Sequence, residues 1–223
     1  MMPTRILPNQ ILAHHTPAQA WAYGKSLIER FGDNMRTEDG ALCREIMNLH
    51  LTTWEPCKPD CWPIQASGWD MAGLNQYAEQ LMSGENPSNF AYTYGQRLVT
   101  YPDSLEDLCH QARFGEPGEA TNQIARIVDR LHHNQASRRA VAVTWIPGHD
   151  SYEDEVPCLQ LLDFLIRGGK LHCTAFFRSH DIESAWPCNV YGIAKLMQYI
   201  ANEVGCETGT LTTISASAHI YQD

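Results

Sequence analysis

No run of about 18 apolar residues occurs in the 223-residue chain, so no transmembrane helix is expected. Basic residues are scarce. Sixteen Lys and Arg stand against 26 Asp and Glu, a net charge of −10, which is the wrong sign for a protein that coats nucleic acid. An anionic ligand would need a local cluster of arginines against that field. Charged residues make up only 19% and hydrophobic residues 43%, which excludes a disordered solvating chain and allows a real core. No repeat or low-complexity tract appears, and a single domain over residues 1–223 is expected. The phosphate loop G-x-x-x-x-G-K-[ST], the dinucleotide fingerprint and G-x-S-x-G are all missing. The N-terminal residues 1–12 lack the apolar core of a signal peptide, so a cytoplasmic location is expected. The eight cysteines, Cys109 among them, are then expected to stay reduced. Cys57-x3-Cys61 has no second pair at metal-ligand spacing, so no metal is expected.

What is present reads as an α+β domain with a mainly antiparallel or mixed sheet flanked by helices. Thr16-Pro17 opens a helix that Gly32 stops. Residues 46–53 read as a strand, 55–69 as irregular, 70–82 as a helix, and Thr121 as the cap of another helix. Residues 139–146 look like a strand. The runs 159–166 and 171–177 flank Arg167-Gly168-Gly169-Lys170, a hairpin signal because both glycines tolerate positive φ. Residues 189–204 carry Val190, Ile193, Leu196, Met197, Ile200 and Val204 at helical spacing, and 211–220 read as the closing strand.

Chemistry is carried by short clusters. Cys158 follows Pro157 at a strand entrance and reads as either a nucleophile or a core thiol. As a nucleophile it needs cationic neighbours to hold a thiolate. Arg178-Ser179-His180-Asp181 breaks an apolar strand abruptly and reads as a phosphate clamp or as a solvated turn. Ser137-Arg138-Arg139 is a second arginine pair, or a solvated helix corner. Asn189 reads either as an N-cap or as an amide that pairs with a base.

In order and spacing, Tyr92-Thr93-Tyr94-Gly95, Ser137-Arg138-Arg139, Pro157-Cys158, Arg178-Ser179-His180-Asp181, Pro187-Cys188-Asn189 and Ala218-His219-Ile220-Tyr221 resemble the thymidylate synthase family. The shorter archaeal form fits best, particularly through Ser184-Ala185-Trp186-Pro187. The resemblance implies a homodimer of sheets packed back to back and a nucleotide pocket in each subunit. Cys158 would add to C6 of the pyrimidine of dUMP. Arg178 and Ser179, with Arg138 and Arg139 from the partner subunit, would hold the 5′-phosphate, and Arg36 or Arg44 would be the mobile phosphate arginine. Asn189 would read N3 and O4 of uracil, and His219 and Tyr221 would bind the 3′-hydroxyl. Asp181 would lie between base and pterin, Tyr94 would organise the water network around C5, and Glu79 would be the catalytic glutamate. The co-substrate would be 5,10-methylenetetrahydrofolate or methylene-tetrahydromethanopterin, supplying both carbon and reductant.

Three departures stand out. Leu159 replaces the family's histidine after the nucleophile, and Phe177 replaces the glutamine before the phosphate arginine. The long closing segment of larger members is expected to be missing after Tyr221. A wetter site would favour a sibling activity, hydroxymethylation of a pyrimidine nucleotide (dUMP, dCMP or CMP). A non-catalytic nucleotide-binding protein is the remaining alternative, and it would have no need of Cys158.

Overall fold

The computed structural model describes residues 11–87, 90–104 and 120–222. Cys109 and the first ten residues lie outside them. Seven strands form one mixed sheet: β1 (Ile11–His14), β2 (Asp33–Arg36), β3 (Leu42–Thr53), β4 (Ala140–Val143), β5 (Leu159–Arg167), β6 (Lys170–Asp181) and β7 (Glu207–Tyr221). Their order is β1-β3-β7-β6-β5-β4, with β2 also on β3. The β1–β3 and β6–β7 pairs are parallel and the rest antiparallel. The helices that bear on the site and core are α1 (Pro17–Phe31), α2 (Met71–Leu81), α3 (Tyr94–Val99), α4 (Gln123–His133) and α5 (Ala185–Val204), beside short helical turns and a small two-stranded sheet of Tyr101–Pro102 and Ala120–Thr121.

Local signals account for most of these elements. Thr16 and Gln19 cap α1 reciprocally at 3.3 and 3.4 Å. Gly168 and Gly169, at φ 57° and 75°, make the β5–β6 hairpin turn. The expected cap at Thr121 falls one residue early. Asn122 accepts from the Ala125 N–H at 2.9 Å, while the Thr121 hydroxyl donates to Asp103. The strand expected over 139–146 keeps only Ala140–Val143 as ladder.

Two further differences shape the site. Helix α5 begins at Ala185, a full turn before Asn189. A proline in the first turn sacrifices no helical hydrogen bond, so Pro187 lies inside the helix rather than ahead of it. Asn189 is therefore no N-cap. Likewise Arg178–Asp181 are not a turn, because β6 runs on to Asp181.

What changes at Arg178 is the phase of the strand. Buried positions alternate through Leu171, Cys173, Ala175 and Phe177, then step three residues to His180. On β7 they step from Ser215 to Ala218, and on β3 from Leu49 to Ile46 across Asn48, whose φ is +58°. Three adjacent strands thus swap faces at one level, as bulged sheets do. One face packs against α1, α4 and α5 around Trp186, Phe164 and Leu131. The other is half-exposed along Met47, Leu161, Leu165, Phe176 and Ile214, with Val141 40% exposed. Asp163 on that face has a carboxylate oxygen with no partner among the described residues.

Candidate functional site

Cys158 stands at the entrance of β5, and its segment is clamped from two sides. The Arg178 guanidinium donates through Nε to the Pro157 carbonyl at 3.0 Å and through Nη2 to the Val156 carbonyl at 2.9 Å. Nη1 has no hydrogen-bond partner among the described residues. The Tyr92 hydroxyl donates to the Val156 carbonyl at 3.1 Å, and the Leu159 N–H donates to the Tyr94 hydroxyl at 3.2 Å. These bonds go to the backbone and leave the thiol free to face the pocket.

The expected depression of the Cys158 pKa is not met. Burial pushes the half-buried thiol up, and Arg178 offsets this only in part. Its guanidinium is committed to carbonyls rather than to sulfur, so the resting group is a thiol. Alkylation of Cys158 by iodoacetamide should therefore still be accelerating at pH 9, the ordinary value for the group. Peptide mass spectrometry checks this, and a rate that levels off near neutral pH would contradict it.

The pocket has a volume of about 420 Å³. Cys158, Ser179, Asp181, Asn189, His219, Tyr221 and Tyr94 all line it, so the fold gathers residues spread over much of the sequence. Asp181 closes the start of α5. One carboxylate oxygen accepts from the Glu183 and Ser184 N–H groups at 2.9 and 3.2 Å, and the other accepts from the Ser184 hydroxyl. His219 meets Tyr221 edge to face at 5.0 Å, and burial lowers the His219 pKa although Asp181 opposes it.

Asn189 is 6% exposed and held on both sides. Its Oδ1 accepts from the Tyr77 hydroxyl. Its Nδ2 lies 3.2 Å from His180 Nε2, and His180 Nδ1 lies 3.0 Å from the Ser215 hydroxyl. Tyr77 and His180 escape a reading of the sequence. Tyr77 continues an ordinary helical stripe with Leu74, Ala78 and Leu81, and His180 sits in what looked like a turn. The departures from the family pattern are buried: Leu159 is 1% exposed, and Phe177, 0% exposed, lies beneath His180.

Other expected residues lie elsewhere. Glu79 is exposed on α2 and lines an adjoining cleft of about 490 Å³ with Trp69, Gln76 and Glu85. That cleft shares Tyr77, Gln80 and Phe90 with the first pocket. Arg138 and Arg139 are exposed between α4 and β4 and do not line the pocket of their own chain. Arg36 is exposed on β2, where its Nη1 donates to the Gly40 carbonyl at 2.5 Å. Arg44 donates to the Gly32 carbonyl at 2.8 and 3.2 Å. Among the described residues no cluster of His, Cys, Asp or Glu could hold a metal ion, and no helix is long and apolar enough to cross a membrane.

Comparison with known proteins gives one answer throughout. The family model described as "Thymidylate synthase" matches residues 44–223. Three archaeal relatives carry the name "Putative thymidylate synthase". The one from Methanosarcina barkeri is 41% identical, covering 99% of this chain and 93% of its own. The one from Methanothermobacter thermautotrophicus is 38% identical, covering 92% and 90%. The one from Methanocaldococcus jannaschii is 35% identical, covering 93% and 89%.

Proposed function

Because the chain belongs to the thymidylate synthase family, we propose that it converts dUMP to dTMP by reductive methylation at C5. The observation that carries this reading is the meeting of Cys158, Asn189, His219 and Tyr221 around one pocket. Pyrimidine C5 is not nucleophilic on its own. Addition of the Cys158 thiolate to C6 makes it an enolate carbon. Asn189 reads the N3 and O4 edge. Arg178, whose Nη1 has no partner among the described residues, and Ser179 hold the 5′-phosphate, and His219 and Tyr221 hold the 3′-hydroxyl. Tyr94 orders the hydroxyl and water network near C5, and Asp181 stands between base and co-substrate.

A methylene-tetrahydropterin, of folate or methanopterin type, supplies the one-carbon unit and the hydride. The adjoining cleft suits such a group. Trp69, Tyr77 and Phe90 offer flat apolar walls, and Gln76 and Gln80 offer amides to a polar heterocycle. Glu79, which lines that cleft with Glu85, is the carboxylate assigned to proton transfer. Incubation with dUMP and each methylene-pterin, followed by mass spectrometry of the nucleotide, tests the proposal. A methyl gain is expected. A hydroxymethyl gain, or an unchanged nucleotide, overturns it.

The single domain would act as a homodimer through the half-exposed sheet face, which carries Leu161, Leu165, Phe176 and Ile214. Arg138 and Arg139 lie away from the pocket of their own chain, which supports their serving the partner's phosphate site. Arg36 would join them from β2 on loading. A charged hydrogen bond to phosphate is worth about 1.5–3 kcal/mol, so Arg139→Ala should weaken dUMP binding by roughly tenfold or more. Hybrid dimers of one Arg139→Ala and one Cys158→Ala subunit should regain one working site. Verified hybrids with no recovered activity would refute the shared arrangement.

A further inference from the structure

His180 has no part in the roles above, yet it is 2% exposed and touches the base-reading amide directly. We infer that His180, as its Nδ1–H tautomer with the Ser215 hydroxyl accepting, is the positioning residue that fixes which way round Asn189 presents its amide, and so sets the preference for uracil over cytosine. This rests on the reading of Asn189 as the contact to the base.

The oxygen and nitrogen of a carboxamide are nearly the same size, so packing cannot tell them apart. Only their hydrogen-bond partners can. Asn189 Nδ2, a pure donor, faces His180 Nε2 at 3.2 Å. That nitrogen must accept, so in the neutral ring the proton sits on Nδ1. Nδ1 then donates to the Ser215 hydroxyl, 3.0 Å away and 1% exposed. On the far side the Tyr77 hydroxyl donates to Oδ1. The imidazole stacks on Phe177 with centroids 3.8 Å apart and planes 18° apart, which fixes its plane. Burial lowers its pKa to about 3, so the ring stays neutral and its only freedom is the choice of tautomer.

Each partner takes one lone pair or one hydrogen of the amide and leaves the other for a ligand. With the proton on Nε2 instead, His180 would offer a donor, and Asn189 would have to turn its oxygen toward it. The donor and acceptor offered to the pocket would then change places. That exchange is what separates the two bases: uracil presents N3–H and O4, while cytosine presents a bare N3 and an amino group. His180 also lines the pocket, but both of its ring nitrogens are engaged, Nε2 by Asn189 and Nδ1 by Ser215, so its influence on the base runs through Asn189.

His180→Phe keeps the stack on Phe177 and removes the acceptor. It should narrow the dUMP-to-dCMP ratio of kcat/KM by about tenfold, the effect of one mispaired buried group. A purely structural role would lower both values together and leave the ratio alone, and that result overturns the inference. The ring nitrogens of His180 in the wild-type protein, labelled with 15N and assigned through its own Cβ, provide a second test that needs no variant. A proton on Nδ1 and a bare Nε2 are expected, and a protonated Nε2 overturns the inference. If Asn189→Asp shifts the ratio while His180→Phe does not, the inference fails and the base-reading role survives. If neither moves it, both fail.

Discussion

Cys158→Ala is expected to lower turnover of dUMP by on the order of 10⁴-fold or more, since removal of a covalent nucleophile leaves only binding and positioning. Binding of dUMP should survive within a few-fold. The physical reason is the clamp: Arg178 bonds the Val156 and Pro157 carbonyls, not the sulfur, so its guanidinium stays in place when the thiol is gone. Calorimetric titration beside a turnover assay separates the two effects. Cys188 is the rival thiol in the same pocket. It donates to the Ala185 carbonyl at 3.1 Å, and burial raises its pKa to about 12, so it is the poorer nucleophile. A covalent adduct of 5-fluoro-dUMP on Cys188, or turnover by the alanine variant, would reverse the assignment.

Asn189→Asp carries the second large effect. In the proposed reading, wild-type Asn189 accepts from N3–H and donates to O4 of uracil, whereas cytosine mismatches both contacts. A buried unsatisfied group costs about 1–3 kcal/mol, so preference for dUMP over dCMP should be strong. An aspartate accepts from the cytosine amino group and, when protonated, donates to N3. In the wild type a bare Nε2 of His180 faces the amide nitrogen, so a carboxylate there would draw the imidazole proton to Nε2. The kcat/KM ratio should move toward dCMP by at least about tenfold. The capping explanation does not compete, because the helix starts at Ala185. An unchanged ratio would remove Asn189 from base recognition.

Much of this was legible in the chain because its signals are local. Thr16-Pro17 and Gly168-Gly169 act through their own backbone, so the first helix and the β5–β6 hairpin needed no tertiary context. The clusters could be recognised by order and spacing, and Cys158, Ser179, Asp181, Asn189 and His219 line one pocket, while Arg178 is spent on the backbone before Cys158. The failures share one cause. Arg178-Ser179-His180-Asp181 was ambiguous because a strand that changes phase and a strand that ends both break a period of two. Asn189 resembled a cap because Pro187 masked the first turn of its helix. The thiol of Cys158 was expected to be acidified by nearby arginines, but the geometry sends Arg178 to carbonyls and burial prevails.

The sequence alone determined the mixed α+β architecture, the turn and cap chemistry, and the set of reactive side chains, because these follow from local propensity and residue type. Only the tertiary structure decided what surrounds those side chains. The common phase break across β3, β7 and β6 turns His180 inward beneath Asn189, and the approach of α2 to α5 brings Tyr77 to its other side. Burial and hydrogen-bond polarity belong to neighbours distant in the chain, so they exist only once the sheet and helices have packed.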